Sequence, residues 1–350
     1  MDDQNQGHKS HKTSSLNSIL ILIVVLSLFS LSLAGYYLNR TNNFILTTDF
    51  DIDKFKAFII KYDKSYKTTD DYIARFKIFK ENLLKIQNHN DMKKSWSFGI
   101  TKFADLTQEE FINNHIPANY IVATQSYVAK FEGKTEIKSI DWEKNGAVTS
   151  IVKDQEGCIG SWAISVAEAT SAYYFINHGS LIEASSQELI DCSGDYNNNG
   201  CSGGYAVNAF KYVKENGLSS AENYPFVGID QECKANEQKL IMANAIYQNS
   251  VQSNNVSELI QAVSQQPVLA LVDSKSWQFY KSGIITDDCG ANLNHVVIIT
   301  GFDTTQEKPY WIIKNSWGYD WGENGFGKIG ISEGSGICGI NMDPSFPVML

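Results

Sequence analysis

All six cysteines of this 350-residue chain, Cys158, Cys192, Cys201, Cys233, Cys289 and Cys338, fall in its C-terminal 200 residues. An even number confined to one stretch reads as a disulfide framework, which needs an oxidising compartment. The pattern alone leaves the pairing open. Zinc is the rival use of such residues. It is disfavoured because no C-x-x-C pair exists and the six histidines form no ligand-like cluster. No metal, nucleotide or haem site is expected.

The charge is divided as sharply as the cysteines. Residues 139–350 hold 11 Lys and no Arg against 24 Asp and Glu, a net charge of −13, whereas residues 1–138 carry net +3. An acidic C-terminal part excludes a phosphate backbone as partner, because nucleic-acid binding wants clustered Lys and Arg. Plain solubility is one reading of the acidity. The other is a basic partner, and the chain's own N-terminal part is one candidate.

Residues 19–38, ILILIVVLSLFSLSLAGYYL, carry no charge. At about 1.5 Å per residue that run is long enough for a hydrocarbon core. Lys9 and Lys12 precede it, which favours a cytoplasmic tail at 1–18 and a type II signal anchor at 19–38. A signal peptide cleaved before Gly35 is the alternative, giving a secreted chain. Both put the body in an endomembrane, lysosome-like or extracellular space. There the sequons Asn39-Arg-Thr and Asn255-Val-Ser become acceptors for glycans.

Helical periodicity predicts helices over 51–66 and 70–90, the second with Phe76, Phe79, Leu83 and Ile86 on one stripe and Asp70 or Asp71 as cap. A short strand follows in SWSFGITKFADL, and another helix begins at Asp105 or Thr107. Within this helical stretch Asp71, Arg75, Phe79, Asn82, Ile86 and Asn90 keep the spacing E-x3-R-x3-F-x2-N-x3-I-x3-N, with Asp71 for Glu. Gly99, Thr101, Phe103 and Asp105 follow G-x-N-x-F-x-D, with Thr for Asn. Both motifs resemble the inhibitory propeptide of cathepsin L-like, papain-family proteases. The resemblance implies a propeptide domain at 45–115 that binds the enzyme in cis and lays its tail through the cleft backwards. Residues 116–138 become a linker and cleavage region, and 139–350 a peptidase domain.

The C-terminal part resembles the same family. Residues 161–178, SWAISVAEATSAYYFINH, read as a long helix with small residues on one face, started by Ser161. His295 in NLNHVVIITGF opens an apolar run that reads as a buried strand, and Asn315 lies in KNSWG. The resemblance makes His295 the catalytic histidine, Asn315 its orienting amide and Gln155 the oxyanion donor. It makes Trp317 the indole that shields the His–Asn bond. It implies an α+β, papain-like fold of two domains, one helical and one β-barrel-like. The bridges it implies are Cys158–Cys201, Cys192–Cys233 and Cys289–Cys338, which use every thiol. Gly203 and Gly204 resemble the strand that pairs with substrate backbone. Tyr205, Ala206, Leu271, Leu293, Val296 and Asp343 resemble the S2 pocket, and Trp321 an S1′ aromatic. Ordinary core is the other reading of these apolar positions.

The departure is at the nucleophile. Ser161 stands where the family has its thiol, and Glu156 and Ile159 stand where it usually has glycine. A hydroxyl cannot rest as the anion of a thiolate–imidazolium pair. It must lose its proton to a general base during attack, and a neutral Asn315 gives the resulting imidazolium no counter-charge. The expectation is an inactive or very weak pseudoprotease that binds peptides or proteins in its cleft. The alternative is a peptidase using Ser161 as nucleophile and His295 as base. Condensation chemistry on a Ser–His pair is the least supported reading, since no hydroxyl-rich tract accompanies it.

Overall fold

The computed structural model describes residues 50–116, 128–131, 135–235, 239–241 and 246–349. The apolar run at 19–38 and the sequon at Asn39 lie outside these. Among the described residues, no helix is long and apolar enough to cross a membrane.

The chain divides into two units at Tyr66 and Lys67. In the first, helix α1 covers residues 50–61. It is shorter than the 51–66 expected, because Asp63 takes a left-handed φ of 47° that an α-helix cannot continue through. Phe55 stacks on Phe58 and Tyr66 at 6.0 and 5.8 Å.

The second unit opens with helix α2, Thr69–Asp91. Its cap is Thr68, whose hydroxyl accepts from the Asp71 N–H at 3.1 Å. Asp70 and Asp71 instead sit in the first turn, where the helix dipole favours acid. The spaced polar residues of α2 hold the segment that follows it. Arg75 donates to the Asp105 carbonyl at 3.0 Å and to Glu110 at 2.7 Å. Asn82 Nδ2, 1% exposed, donates to the Ala104 and Leu106 carbonyls at 2.9 and 2.8 Å. Asn90 bonds both the N–H and the carbonyl of Phe98. Strand β1, Trp96–Phe98, and helix α3, Gln108–His115, are fixed by these contacts and by a Thr107/Glu110 capping box.

Strand β2 is Ser139–Asp141 and helix α4 is Ser161–His178. Residues 161–172 of α4 are all buried, so its first three turns have no solvent face at all. Small residues let neighbours approach on every side. Helices α5, Ser186–Cys192, and α6, Ala206–Asn216, complete a helical half. The other half is a sheet of β3 (Ile246–Ser250), β4 (Val268–Val272), β5 (Tyr280–Ile285), β6 (His295–Asp303), β7 (Tyr310–Lys314), β8 (Phe326–Gly330) and β9 (Ser345–Met349), with helix α7, Val256–Gln265, against it. The strand order is β1-β5-β8-β7-β6-β4-β9-β3, with β2 on β6. It is one path, not a closed ring, among the described residues.

Strands β4 and β6 separate two cores. Leu269, Leu271, Val296 and Ile298 face the helical core around Trp162 and Phe210. Val268, Ala270, Val272, Val297 and Ile299 face the sheet core around Trp277 and Trp311. Successive side chains of a strand point to opposite faces, so a strand between two cores must be apolar throughout. The disulfides are Cys158–Cys201, Cys192–Cys233 and Cys289–Cys338.

Strand β1 extends the sheet by antiparallel pairing with β5. Gly283 makes the approach possible. Its φ is 89°, and a Cβ there would lie 2.4 Å from the Ser95 carbonyl oxygen and 2.8 Å from Trp96 Cα. Gly283→Ala is therefore expected to free β1, at a cost of about 1–3 kcal/mol for the strain alone. Amide exchange reports it. Protection at Ile284 N–H, bonded to the Ser95 carbonyl at 2.9 Å, should fall while protection within α4 holds.

Candidate active site

The residues singled out in the sequence come from three elements that meet at one point. Ser161 begins α4 after Gly160, which offers no side-chain cap. The loop before it is pinned by the Cys158–Cys201 bridge and by the Ile159 N–H, which donates to the Cys201 carbonyl at 2.9 Å. Ser161 is fully buried. Its Oγ accepts a long 3.4 Å bond from the backbone N–H of Val296, the residue after His295 on β6.

His295 is fully buried as well. Its Nε2 lies 2.7 Å from Asn315 Oδ1. That oxygen also accepts from the Ser316 N–H at 2.8 Å, so Nε2 is the donor and carries the proton. Nδ1 is left as a bare lone pair with no hydrogen-bond partner among the described residues. The Trp317 ring stacks on the imidazole at 4.7 Å, backed by Trp321 at 5.4 Å. Burial pushes the His295 pKa down to about 4; the Asn315 bond opposes the shift and the nearby His115 adds to it. The ring is neutral over most of the physiological range.

Gln155 faces the same point. Its Oε1 accepts from Ser316 Oγ at 2.6 Å, which turns Nε2 the other way. Nε2 then donates to the carbonyl of His115, the last residue of α3, at 3.2 Å. His115 Nδ1 in turn donates to the Glu156 carbonyl at 2.8 Å. Phe103 and Phe111 lie edge-on to Trp317 at 5.6 and 5.3 Å. Thus the segment 101–116 roofs the site, and its His115 carbonyl accepts the hydrogen bond of the Gln155 amide. Lys102 pairs with Asp154, the residue before Gln155, and Lys94 pairs with Asp287 and Asp288 at the end of the β1–β5 pairing. Glu156 is exposed with a φ of 48°, a conformation that favours glycine.

The other candidates separate into two groups. Ala206, Leu271, Leu293 and Val296 share one buried cluster, with Tyr205 against it, and Asp343 is half-buried. Gly203 has a φ of 116°. Gly204 also serves the core, since a Cβ there would meet the Trp162 ring at 2.6 Å. Trp321, 1% exposed, donates to the Trp277 carbonyl at 3.0 Å and is part of the aromatic wall. Ser316, His115 and Trp277 escaped the sequence reading. Ser316 lies inside the KNSWG motif. The other two gave no signal, because their partners are remote in sequence.

Two family descriptions match the chain: "Papain family cysteine protease" over residues 137–348, and "Cathepsin propeptide inhibitor domain (I29)" over residues 55–111. Papaya proteinase 4 of Carica papaya is 34% identical over 335 residues, which span 92% of this chain and 93% of that one. Fruit bromelain of Ananas comosus is 34% identical over 313 residues, 85% of this chain and 86% of that one. Among solved structures, a recombinant stem bromelain precursor has a TM-score of 0.78 at 34% identity, covering 85% of this chain and 98% of that chain. Digestive procathepsin L 3 of Tenebrio molitor has a TM-score of 0.77 at 32% identity, with coverage of 85% and 99%.

Proposed function

The chain belongs to the papain family of cysteine proteases and carries that family's propeptide inhibitor domain, and we propose that it is a pseudoprotease, holding peptides or proteins in a papain-type cleft whose nucleophile position is occupied by Ser161. The observation that carries this reading is the pairing of a serine at the start of α4 with a cysteine set that is wholly bridged. No thiol remains to substitute.

The surroundings support it. A serine hydrolase needs its hydroxyl to donate to the base, yet Ser161 Oγ accepts from Val296 and makes no bond to Nδ1 of His295. The base would become an imidazolium with only a neutral amide, Asn315, beside it. Glu156 adds negative charge next to Gln155, against a developing oxyanion. Ile159 adds a branched side chain where the family has glycine.

The serine-nucleophile reading has one observation in its favour. His295 already has the tautomer of a general base, with Nδ1 free. The two readings differ in what the full-length chain does in acid. A pseudoprotease held at pH 4–5 keeps its propeptide region indefinitely unless another protease cuts at 116–138. Loss of residues 1–138 in the purified protein, abolished by Ser161→Ala, would overturn the proposal.

Asp343, which resembles the acidic residue some cathepsins carry in this pocket, makes a basic second residue the preferred ligand feature. After the propeptide is removed in trans, peptides with Arg at that position are expected to bind several-fold tighter than those with Leu. Asp343→Asn is expected to equalise them. Equal binding to the unaltered protein removes this part of the reading.

A further inference from the structure

The second sequon, Asn255-Val-Ser, has no part in the cleft chemistry. Asn255 caps α7: its Oδ1 accepts from the Glu258 N–H at 3.1 Å, and its backbone carbonyl accepts from Leu259 at 3.0 Å. The turn before it is pinned twice. Ser253 Oγ donates to the Met342 carbonyl at 2.6 Å, and the Asn254 N–H donates to the Asn341 carbonyl at 2.7 Å. Asn254 takes a φ of 62°. Val256 and Leu259 anchor the helix in the core, Asn255 is half-buried, and Ser253, Asn254 and Ser257 around it are exposed.

The asparagine amide is therefore divided. Its oxygen is committed to the helix. Its nitrogen donates to no group among the described residues and is not one of the buried unpaired atoms. Attachment of a sugar to Nδ2 keeps the amide oxygen, so a capped helix and a glycan are compatible at this residue. A glycan is bulky and needs a surface site in an oxidising lumen, which the three disulfides also require.

We propose that Asn255 carries an N-linked glycan. The donor is an oligosaccharide on a polyprenyl diphosphate. The Asn255 amide nitrogen bonds to C1 of the first sugar, the C1–O bond to diphosphate breaks, and the lipid diphosphate leaves with the electron pair. The displaced amide proton goes to a base. The hydroxyl of Ser257 completes the acceptor motif. The sugar stands on a turn bonded to residues 341 and 342, beside the segment that carries Asp343. The proposal is independent of whether Ser161 is catalytic.

The test uses the full chain made in a eukaryotic secretory host, with Asn39→Gln to remove the other sequon. Peptide N-glycosidase in heavy-oxygen water converts a glycosylated asparagine to labelled aspartate, read by peptide mass spectrometry. We expect labelling at 255, a mobility shift on the gel, and loss of both in Ser257→Ala. Ser257→Ala keeps the cap, and Asn255→Asp keeps a capping oxygen. Both should fold with all disulfides formed. Unlabelled Asn255 in disulfide-bonded protein overturns the proposal, as does a chain that never enters the lumen.

Discussion

Ser161→Cys, with the propeptide region removed in trans, is expected to hydrolyse a fluorogenic peptide pool at least about 100-fold faster than the unaltered protein, whose rate should equal that of Ser161→Ala. The estimate is the smallest penalty that a misplaced nucleophile of this kind carries, since about 1 Å of error costs about 100-fold. The larger part comes from acidity. A His-paired thiol at a helix N-terminus in such enzymes titrates near pH 3–4 instead of about 8.5, so the nucleophile rests as an anion. The components for this are in position. Ser161 starts an 18-residue helix, His295 offers a bare Nδ1, and Asn315 and Trp317 hold the ring. A thiolate would supply the counter-charge that buried His295 lacks. Glu156 and Ile159 limit the gain but sit at the rim, exposed and half-buried. If the cysteine variant is silent while peptide still binds, the rim and not the atom at 161 disables the site. If the unaltered protein outruns Ser161→Ala, Ser161 is a working nucleophile and the pseudoprotease reading fails.

Much of this site could be read in advance because each of its pieces resembles the papain family within one contiguous stretch: the start of α4 at Ser161, β6 at His295 and the Asn315–Ser316–Trp317 run. The same holds for Arg75, Asn82 and Asn90, whose spacing along α2 puts three polar groups over one return loop. What was hidden depends on contacts across the chain. The amide of Gln155 is claimed by a carbonyl 40 residues away, at His115. The buried ion pair between Glu168 and Lys314, at 2.9 Å, ties α4 to β7, and no sequence pattern announces it. Cap choice misled for a different reason. Asp70 and Asp71 are good capping residues, but Thr68 has the extended backbone that a cap needs, and the acids then serve the dipole. The expectation of small residues on one face of α4 fell short, because a helix between two other helices and a sheet is buried on every side through residue 172.

Acid should destabilise the protein through His295 in a window where carboxylates are still ionised. The unfolded ring takes a proton near pH 6.5, whereas the buried ring does so only near pH 4. Between these values the unfolded chain binds more protons, so stability falls as pH drops through the window and the loss is complete below it. By pH 5 the loss is roughly 2 kcal/mol, at about 1.4 kcal/mol per unit. At about 2.1 cal/mol/K of unfolding entropy per residue, a 350-residue chain loses about 3 °C in melting temperature between pH 6.5 and 5. His89, also lowered, chiefly by burial, adds a loss of the same sign, so the histidine must be isolated by difference. His295→Gln keeps a donor for Asn315 Oδ1 and removes the titration. It is expected to be less stable at neutral pH, since Gln fits the space against Trp317 poorly. Its melting temperature should nevertheless fall less than that of the unaltered protein over the same pH range. Parallel curves for the two proteins would mean that His295 is already protonated, or open to water, in the folded chain. Either would remove the argument that a buried neutral imidazole, with only an amide beside it, cannot support a serine nucleophile.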